Sequence, residues 1–228
     1  MFTYTSDMKS KLRFDFGNNK VSRNFSQALQ DMFVLSVLNG KSAGTFLEIG
    51  AHDPVECSNT NLLEHSYGWS GMSFDILDLS SRFSSRPKTK FVCADAINYD
   101  YKTGLKANYA TNRIDYLSLD IEPNYNTLAC LKNLPHDSYR FSVITYETDV
   151  YDPSQSKENN ENVRKESREF LKGLGYVLVN GNVSNLDNEH PFEDWYVDST
   201  FFDRSIVEKF TRISDEPLAA HLYTFLEK

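Results

Sequence analysis

Several features are scarce or missing in this chain of 228 residues. Its only cysteines are Cys57, Cys93 and Cys130, and no two of them are spaced as Cys-x-x-Cys, which argues against a disulfide framework and a zinc site. No apolar run approaches the roughly 18 residues of a membrane span, and residues 1–7 lack the apolar core of a signal peptide. We therefore expect a soluble, cytoplasmic, globular protein.

Positive charge is also in short supply. Lys and Arg total 24 against 32 for Asp and Glu, so the net charge is −8, which argues against nucleic acid or an anionic membrane surface as the main partner. The chain has neither GxGxxG nor GxxxxGK[ST], the glycine-rich patterns of phosphate sites. It also has no linker rich in Gly, Pro or Ser. We expect a polar N-terminal arm at 1–20 and a single domain at 21–228.

Short strand-like runs alternate with helix-sized segments along the chain. The apolar and β-branched patterns predict strands at 45–50, 71–76, 90–95, 114–120, 141–147, 176–179 and 195–197. Helical spacing predicts helices at 25–38 with Ser26 as N-cap, 59–65, 125–131, 161–174 with Gly175 as cap, and from 204 onward with a further start at Pro217. This alternation predicts an α/β fold with a mostly parallel sheet.

Acidic residues fall at or within two residues of the predicted ends of five strands: Glu48, Asp75, Asp95, Asp120 and Glu147. In open α/β sheets, ligands bind in the crevice beyond the carboxyl ends of the strands. A strand-terminal acid is often only a turn or capping residue, but five at successive strands indicate a binding edge. An edge lined by carboxylates disfavours phosphate ligands and suits a cofactor with a positive centre, an adenine and a ribose, such as S-adenosylmethionine.

The same regions resemble FkbM-type methyltransferases. The resemblance is carried by Gly-Thr-Phe-Leu-Glu-Ile-Gly-Ala-His-Asp at 44–53, by Ser-Asn-Thr at 58–60, and by segments 26–33, 63–64, 114–122, 139–147, 170–176 and 191–197. It spans residues 24–203 in the family's order. The resemblance implies a Rossmann-like class I methyltransferase fold, with a mostly parallel central sheet flanked by helices, and transfer of a methyl group from S-adenosylmethionine to oxygen, often on a sugar or polyketide hydroxyl.

The family also implies roles for residues of this chain. Glu48, Gly50 and Ala51 would lie under the methionine part of the cofactor, Asp75 would bind the ribose, and Asp95 and Ala96 the adenine. Asn59 and Thr60 would line the cofactor pocket. Two departures from the family pattern matter: Pro54 stands where the family has glycine and lacks a backbone N–H, and Thr148 stands where a histidine often follows the acid at 147.

Methyl transfer to a sugar hydroxyl needs alignment and a way to remove the proton. Asp120, Glu122 and Glu147 could together hold Mg²⁺ or another divalent cation, which prefers oxygen ligands. Alternatively, one of them, most simply Asp120, acts as a general base, and Glu122 is only a solvated residue at a helix start. His52, after the first glycine turn, is a further catalytic candidate or a surface residue.

Two aromatic residues are candidates for the acceptor site. Trp195 and Tyr196, the first of them beside Glu193 and Asp194 in a segment that we expect to be a lid, could stack on a sugar ring or be plain core residues. The sequence therefore predicts an O-methyltransferase acting on a sugar or glycan hydroxyl. The alternatives are a small secondary metabolite or lipid-linked acceptor, or a non-catalytic nucleotide- or sugar-binding module on the same fold.

Overall fold

The computed structural model describes residues 24–184 and 191–213, together with the backbone of residues 15–16 and 19–20. Its strands are β1 (Asp15–Phe16), β2 (Asn19–Lys20), β3 (Thr45–Ile49), β4 (Ser70–Asp75), β5 (Thr89–Cys93), β6 (Arg113–Leu119), β7 (Arg140–Glu147), β8 (Tyr176–Ser184) and β9 (Pro191–Asp198). Its helices are α1 (Gln30–Val37), α2 (Asn61–Tyr67), α3 (Ser80–Phe83), α4 (Tyr101–Asn108), α5 (Asn124–Asn133), α6 (Lys157–Gly173) and α7 (Arg204–Phe210).

Seven strands form one sheet in the order β5-β4-β3-β6-β7-β9-β8. Strands β3 to β7 run parallel, while β9 lies antiparallel between β7 and β8. The chain starts in the middle of the sheet, moves to one edge, and returns past β3 to β6. This doubly wound order confirms the expected α/β fold class with a mostly parallel, Rossmann-like central sheet, and the β3/β6 junction is the point where a ligand crevice is expected.

The sheet separates two apolar layers because side chains alternate along each strand. One layer joins α1 and α2 to strand residues such as Phe46, Tyr116 and Val143. The other joins α4, α5 and α6 to the alternate residues, among them Leu47, Leu117 and Ile144. Strands β6 and β7 are buried along almost their whole length, which accounts for the apolar and β-branched residues that predominate in both, although Asp115, Ser118 and Ser142 are buried with them.

Helix α1 begins at Gln30, five residues later than predicted, and Ser26 is not its N-cap. Leu29 has a left-handed backbone (φ 67°), which interrupts the helix before Gln30. The Ser26 hydroxyl instead donates to Asp31 Oδ1 at 2.6 Å, and the amide of Phe25 donates to Asp31 Oδ2 at 2.9 Å. Hydrogen bonds to the buried carboxylate of Asp31 therefore hold residues 24–29 against the first turn of the helix.

The other predicted elements lie close to the observed ones. Helix α6 begins four residues earlier than predicted because the Ser156 side chain caps it, accepting from the amide of Asn159 at 3.2 Å. Helix α4 was not predicted; it is short and contains Gly104, and its buried apolar side chains are Tyr101 and Leu105. Most of the arm at 1–20 and the helix start expected at Pro217 lie outside the described residues, apart from the β1–β2 pair. Among the helices that are described, none has the length and apolarity needed to cross a membrane.

Candidate functional site

The carboxyl ends of the parallel strands bring the predicted acids to one edge. Glu48 is the penultimate residue of β3, Asp75 and Glu147 are the last residues of β4 and β7, and Asp120 directly follows β6. Asp95 lies two residues beyond β5. The acids therefore form a row along the edge where α/β sheets bind ligands.

Gly50 makes the turn at the centre of this row. Its backbone has φ 86°, and a Cβ atom at this position would lie 1.5 Å from the carbonyl oxygen of Asp120. The amides of Gly50 and Ala51 both donate to the carbonyl of Phe74, at 3.0 and 2.9 Å. Glycine is required here because no side chain fits between the two strand ends. The turn thus brings Gly50 against the end of β6, while Ala51 and His52 bond to the end of β4.

Glu48 is buried and is held by two hydroxyl groups. Thr60 Oγ1 donates to Glu48 Oε2 at 2.8 Å, and Ser73 Oγ donates to the same oxygen at 2.7 Å. Burial raises the pKa of Glu48, while Arg86 and the two hydroxyls act against this shift. Two predicted cofactor residues, Glu48 and Thr60, therefore contact each other.

Asn59 lies beside Glu48 and Thr60, and only the nitrogen of its side-chain amide is hydrogen-bonded. Its Nδ2 donates to Ser118 Oγ at 2.9 Å, whereas its buried Oδ1 has no hydrogen-bond partner. A buried acceptor without a donor is costly, so such groups usually meet a ligand or water. Asn59 Oδ1 is therefore a buried acceptor beside Glu48 and Thr60 that still lacks a donor.

Arg86, which was not predicted as a site residue, bonds to the loop between β3 and α2. Arg86 is 3% exposed and pairs with Glu64 at 2.5 Å. Its other nitrogens donate to the Pro54 carbonyl at 3.0 Å and to Thr60 Oγ1 at 2.9 Å. Arg86 thus links the loop after β3 to α2, and through Thr60 to Glu48. The signal for it is weak, because Glu64 and Arg86 are 22 residues apart and each looks like an ordinary surface residue.

Asp75 is fixed by backbone amides rather than by a cation. Oδ2 accepts from the amide of His52 at 2.9 Å, and Oδ1 accepts from the amide of Leu77 at 2.9 Å. The next two residues carry exposed apolar side chains, Ile76 at 73% and Leu77 at 59%. A fixed carboxylate beside exposed apolar groups can bind vicinal hydroxyls and cover one face of a flat ring.

Asp95 and Ala96, the two residues predicted to bind the adenine, lie in a turn after β5. Asp95 is exposed, and its carboxylate accepts from the amide of Ile97 at 2.9 Å and from Asn98 Nδ2 at 2.7 Å. Ala96 is buried at 7% exposure. Both follow β5, which pairs with β4 in the sheet, and their role in binding adenine stays a prediction.

Asp120 and Glu147 form a hydrogen-bonded carboxyl pair at the ends of β6 and β7. Burial raises the pKa of Asp120, and the hydrogen bond from Glu147 acts against that shift. Burial, together with the Asp120 carboxylate, holds the pKa of Glu147 well above its usual value. These opposed effects favour the proton on Glu147 and the negative charge on Asp120.

Asp149 and Glu193, two further acids, adjoin the pair. Burial, together with the nearby Asp120 and Glu122 carboxylates, raises the pKa of Asp149 to about 6, while its contact with Glu147 acts against the shift. Glu193 lies opposite Glu147 in the β7–β9 register and is 1% exposed. Burial raises its pKa to about 8, and its Oε2 accepts from Trp195 Nε1 at 2.5 Å. Neither Asp149 nor Glu193 was predicted as a site residue, because the contacts that matter cross between strands.

The proposed metal ligands do not come together. Glu122 is exposed and is followed by a cis peptide bond to Pro123, whereas Asp120 and Glu147 bond to each other. Across residues 24–184 and 191–213, no group of three or more His, Cys, Asp or Glu side chains is arranged to hold a metal ion. The described residues thus show no ready-made three-carboxylate site, and cation binding by Asp120, Glu122 and Glu147 stays a prediction.

His52 is exposed and adjoins the carboxyl pair. Its backbone has φ 45°, and its charge interaction with Asp120 acts to lower the pKa of that carboxyl. The ring therefore lies near enough to Asp120 to influence it. A catalytic role for His52 stays a prediction.

Trp195 and Tyr196 lie inside the protein. Trp195 is 0% exposed and stacks on Phe33 with ring centroids 4.3 Å apart, and Tyr196 is 1% exposed on the opposite face of the sheet. The expected lid around them is wrong, because Glu193, Asp194 and both aromatics belong to β9, which is an internal strand. The arrangement thus favours the alternative that the two aromatics are core residues.

Comparisons with known proteins concern the fold. Neither a protein-family model nor a curated protein matches the chain, so the FkbM resemblance stays a prediction. Similar solved structures include a fibrillarin pre-rRNA processing protein of Methanococcus jannaschii, with a TM-score of 0.49 at 12% identity over 81% of this chain and 84% of that one. TrmK of M. capricolum, in complex with S-adenosyl-homocysteine, has a TM-score of 0.48 at 13% identity, covering 79% and 74%. N-methyltransferase NodS of Bradyrhizobium japonicum WM9, in complex with S-adenosyl-L-homocysteine, has 0.46 at 10% identity, covering 85% and 97%.

Proposed function

We propose that this protein is an S-adenosylmethionine-dependent O-methyltransferase that acts on a hydroxyl group of a sugar or glycan. The observation that carries the proposal is the hydrogen-bonded pair of Asp120 and Glu147 at the ligand-binding edge of the sheet. A sugar hydroxyl is a weak acid, so its methylation needs a base at the acceptor oxygen. An ionised Asp120 supported by a neutral Glu147 supplies that base.

The residues around β3 and β4 fit the cofactor. Asp75, with each oxygen held by one backbone amide, keeps lone pairs for the two ribose hydroxyls, and exposed Ile76 next to it can cover the adenine ring. Gly50 lets the backbone approach closely, and Asn59 Oδ1 offers a buried acceptor for the amino group of the methionine part. The fit supports Asp95, Ala96, Glu48, Ala51 and Thr60 as the surrounding wall of this pocket.

The chemistry of the chain's own residues is proton removal and positioning. When bound, the cofactor supplies an electrophilic methyl group on a sulfonium. Asp120 accepts the proton of the acceptor hydroxyl, which makes the acceptor oxygen a better nucleophile. Glu147 keeps the Asp120 carboxylate oriented through its hydrogen bond. Because alignment dominates this class of reaction, a fixed base is worth more than a mobile one.

Two measurements test this proposal together. Calorimetry with S-adenosylhomocysteine measures cofactor binding, and transfer of a labelled methyl group to a panel of sugars measures turnover, with and without EDTA. We expect Asp75→Ala to weaken binding at least tenfold, since two ribose hydrogen bonds to a charged group are lost. We expect Asp120→Asn to abolish turnover and leave binding within twofold.

The possible failures have distinct meanings. Equal loss of binding in the two variants would show that the roles of Asp75 and Asp120 are wrongly assigned. Cofactor binding without transfer to any sugar would redirect the search to small secondary metabolites or lipid-linked acceptors. Failure of the wild-type protein to bind S-adenosylhomocysteine would indicate a non-catalytic binding module. Loss of turnover only when EDTA is present would indicate that a divalent cation bound by the carboxylates is needed.

A further inference from the structure

Large apolar side chains that stay exposed are concentrated at the ligand-binding edge. Five of the seven such side chains in the described part of the chain follow the carboxyl ends of the parallel strands: Val55, Ile76, Leu77, Tyr125 and Tyr151. Phe201, by contrast, follows the antiparallel strand β9 and therefore lies at the other edge. Exposed apolar side chains at this edge, beside carboxylates, offer a partly apolar surface to a ligand.

Tyr151 is the member of this group that touches the carboxyl pair. It follows β7 by four residues, is 44% exposed, and its hydroxyl donates to Glu147 Oε1 at a long distance of 3.5 Å. Besides burial, the negative charges of Asp149, Asp120 and Glu122 also raise the pKa of its phenol. One end of the side chain is therefore anchored over the acids, while part of the ring faces solvent.

We propose that Tyr151 is the aromatic wall of the acceptor subsite, on which a pyranose ring stacks with one hydroxyl directed toward Asp120. This inference rests on the proposed function and names the ring form of its acceptor. A pyranose has an apolar face of C–H groups and a rim of hydroxyls, which matches an aromatic ring bordered by carboxylates. The subsite takes the place of the wall expected from Trp195 and Tyr196, which are buried.

Tyr151 acts in this subsite as a surface rather than as an acid or base. Burial of its hydroxyl end, followed by the nearby Glu147 and Asp149, raises the pKa of Tyr151 far above physiological pH. The phenol therefore remains neutral, and the ring presents the same face at every pH at which the enzyme works. It follows that the hydroxyl is dispensable for stacking while the ring is not.

The test measures sugar binding directly, without turnover. Saturation-transfer NMR is recorded in the presence of S-adenosylhomocysteine with methyl α-D-glucopyranoside, methyl α-D-mannopyranoside and methyl α-L-rhamnopyranoside, and with the acyclic polyol sorbitol. The variants are Tyr151→Phe, which keeps the ring, Tyr151→Ala, which removes it, and Phe201→Ala as the control. Phe201 is 44% exposed, like Tyr151, but it lies at the other edge under the guanidinium of Arg113.

We expect the wild-type protein, Tyr151→Phe and Phe201→Ala to bind at least one pyranoside and not sorbitol. Tyr151→Ala is expected to weaken that binding by about fivefold or more, the loss of one aromatic contact. Its S-adenosylhomocysteine affinity, measured by calorimetry, is expected to stay within twofold, because the proposed cofactor residues lie at β3 and β4. Retained pyranoside binding in Tyr151→Ala, equal binding of sorbitol, or no pyranoside binding by the wild-type protein would overturn the assignment. Loss of cofactor binding in the wild type would instead refute the proposed function.

Discussion

Glu147 donates a hydrogen bond to Asp120, so two acids that end neighbouring parallel strands share one proton. Two ionised carboxylates in direct contact would repel each other in a partly buried site. A neutral Glu147 removes that repulsion. The consequence is a division of roles between residues of the same chemical type. Asp120 carries the charge, and Glu147 orients it.

The pair predicts an acid limb in the pH dependence of turnover. Because Asp120 must be ionised to accept a proton, turnover with the acceptor found in the sugar panel is expected to fall as the pH drops through the raised pKa of Asp120. Glu147→Ala removes the hydrogen bond that lowers this pKa, so the acid limb should move to higher pH. Asp137→Asn, which removes an exposed carboxylate paired with Lys102, is the control and should leave the limb in place. A limb that shifts equally in both variants would contradict the division of roles.

Glu193 predicts a pH-dependent loss of stability. Its pKa lies near 4.5 in the unfolded chain and is raised by burial to about 8 in the folded protein, so between these values the folded state binds the extra proton. Stability conferred by this group is complete below the lower value and declines as the pH rises to about 8, at about 1.4 kcal/mol per pH unit. Glu193→Gln cannot ionise yet can still accept from Trp195 Nε1.

Urea unfolding of the two proteins between pH 5 and pH 8 measures this effect, because the difference between them isolates Glu193. We expect the wild-type protein to lose stability relative to Glu193→Gln as the pH rises. In the folded wild type only, the fluorescence of Trp195 should change as the pH passes about 8, where Glu193 loses its proton, since the indole N–H bonds to this carboxyl. Parallel stability curves would show that Glu193 does not hold its proton through this range.

Local patterns were sufficient to predict the fold and the row of acids. A parallel strand reads as a short apolar run, and Glu48, Asp75 and Asp120 each stand where such a run stops, so a one-dimensional pattern locates one edge of the sheet. The start of α1 was not predictable in the same way. It depends on the left-handed backbone of Leu29 and on the side-chain bonds between Ser26 and Asp31, which propensity alone does not indicate.

The parts of the site that were missed depend on contacts between distant segments. Trp195 resembled a lid residue because Glu193 and Asp194 beside it are acidic, yet β9 inserts between β7 and β8 and takes all three inside. There, Glu193 bonds to Trp195, and Asp194 pairs with Arg168 at 2.6 Å on the face of α6. A charged residue that is buried with a partner has the same sequence signature as a surface residue.

Glycine at position 50 is explained both by its left-handed backbone and by the lack of room for a Cβ atom, and the two causes can be tested separately. Gly50→Ala would combine a left-handed backbone with a Cβ placed 1.5 Å from the Asp120 carbonyl, so we expect a loss of about 3–5 kcal/mol in the free energy of unfolding. Gly175 is the matched control, since it has φ 85° but a Cβ added there would meet no atom within 4 Å. Gly175→Ala should therefore cost only about 1–2 kcal/mol. Similar losses in urea unfolding would show that the close approach of the β3 and β6 ends is not the reason for glycine at 50.

Arg86 predicts that a buried ion pair supports the cofactor loop. Arg86→Met leaves the buried Glu64 carboxylate without its cation and removes the donor to Thr60, so we expect a loss of about 3–5 kcal/mol in unfolding free energy. Adding Glu64→Gln to this variant removes the uncompensated charge and should restore part of the loss. Lys102→Met, at a pair whose side chains are 66% and 65% exposed, should leave the free energy of unfolding nearly unchanged. Because Arg86 also holds the Thr60–Glu48 contact, Arg86→Met should weaken S-adenosylhomocysteine binding at a temperature where the variant is folded, whereas Lys102→Met should not. Unchanged cofactor affinity in folded Arg86→Met would show that the ion pair stabilises α2 without shaping the pocket.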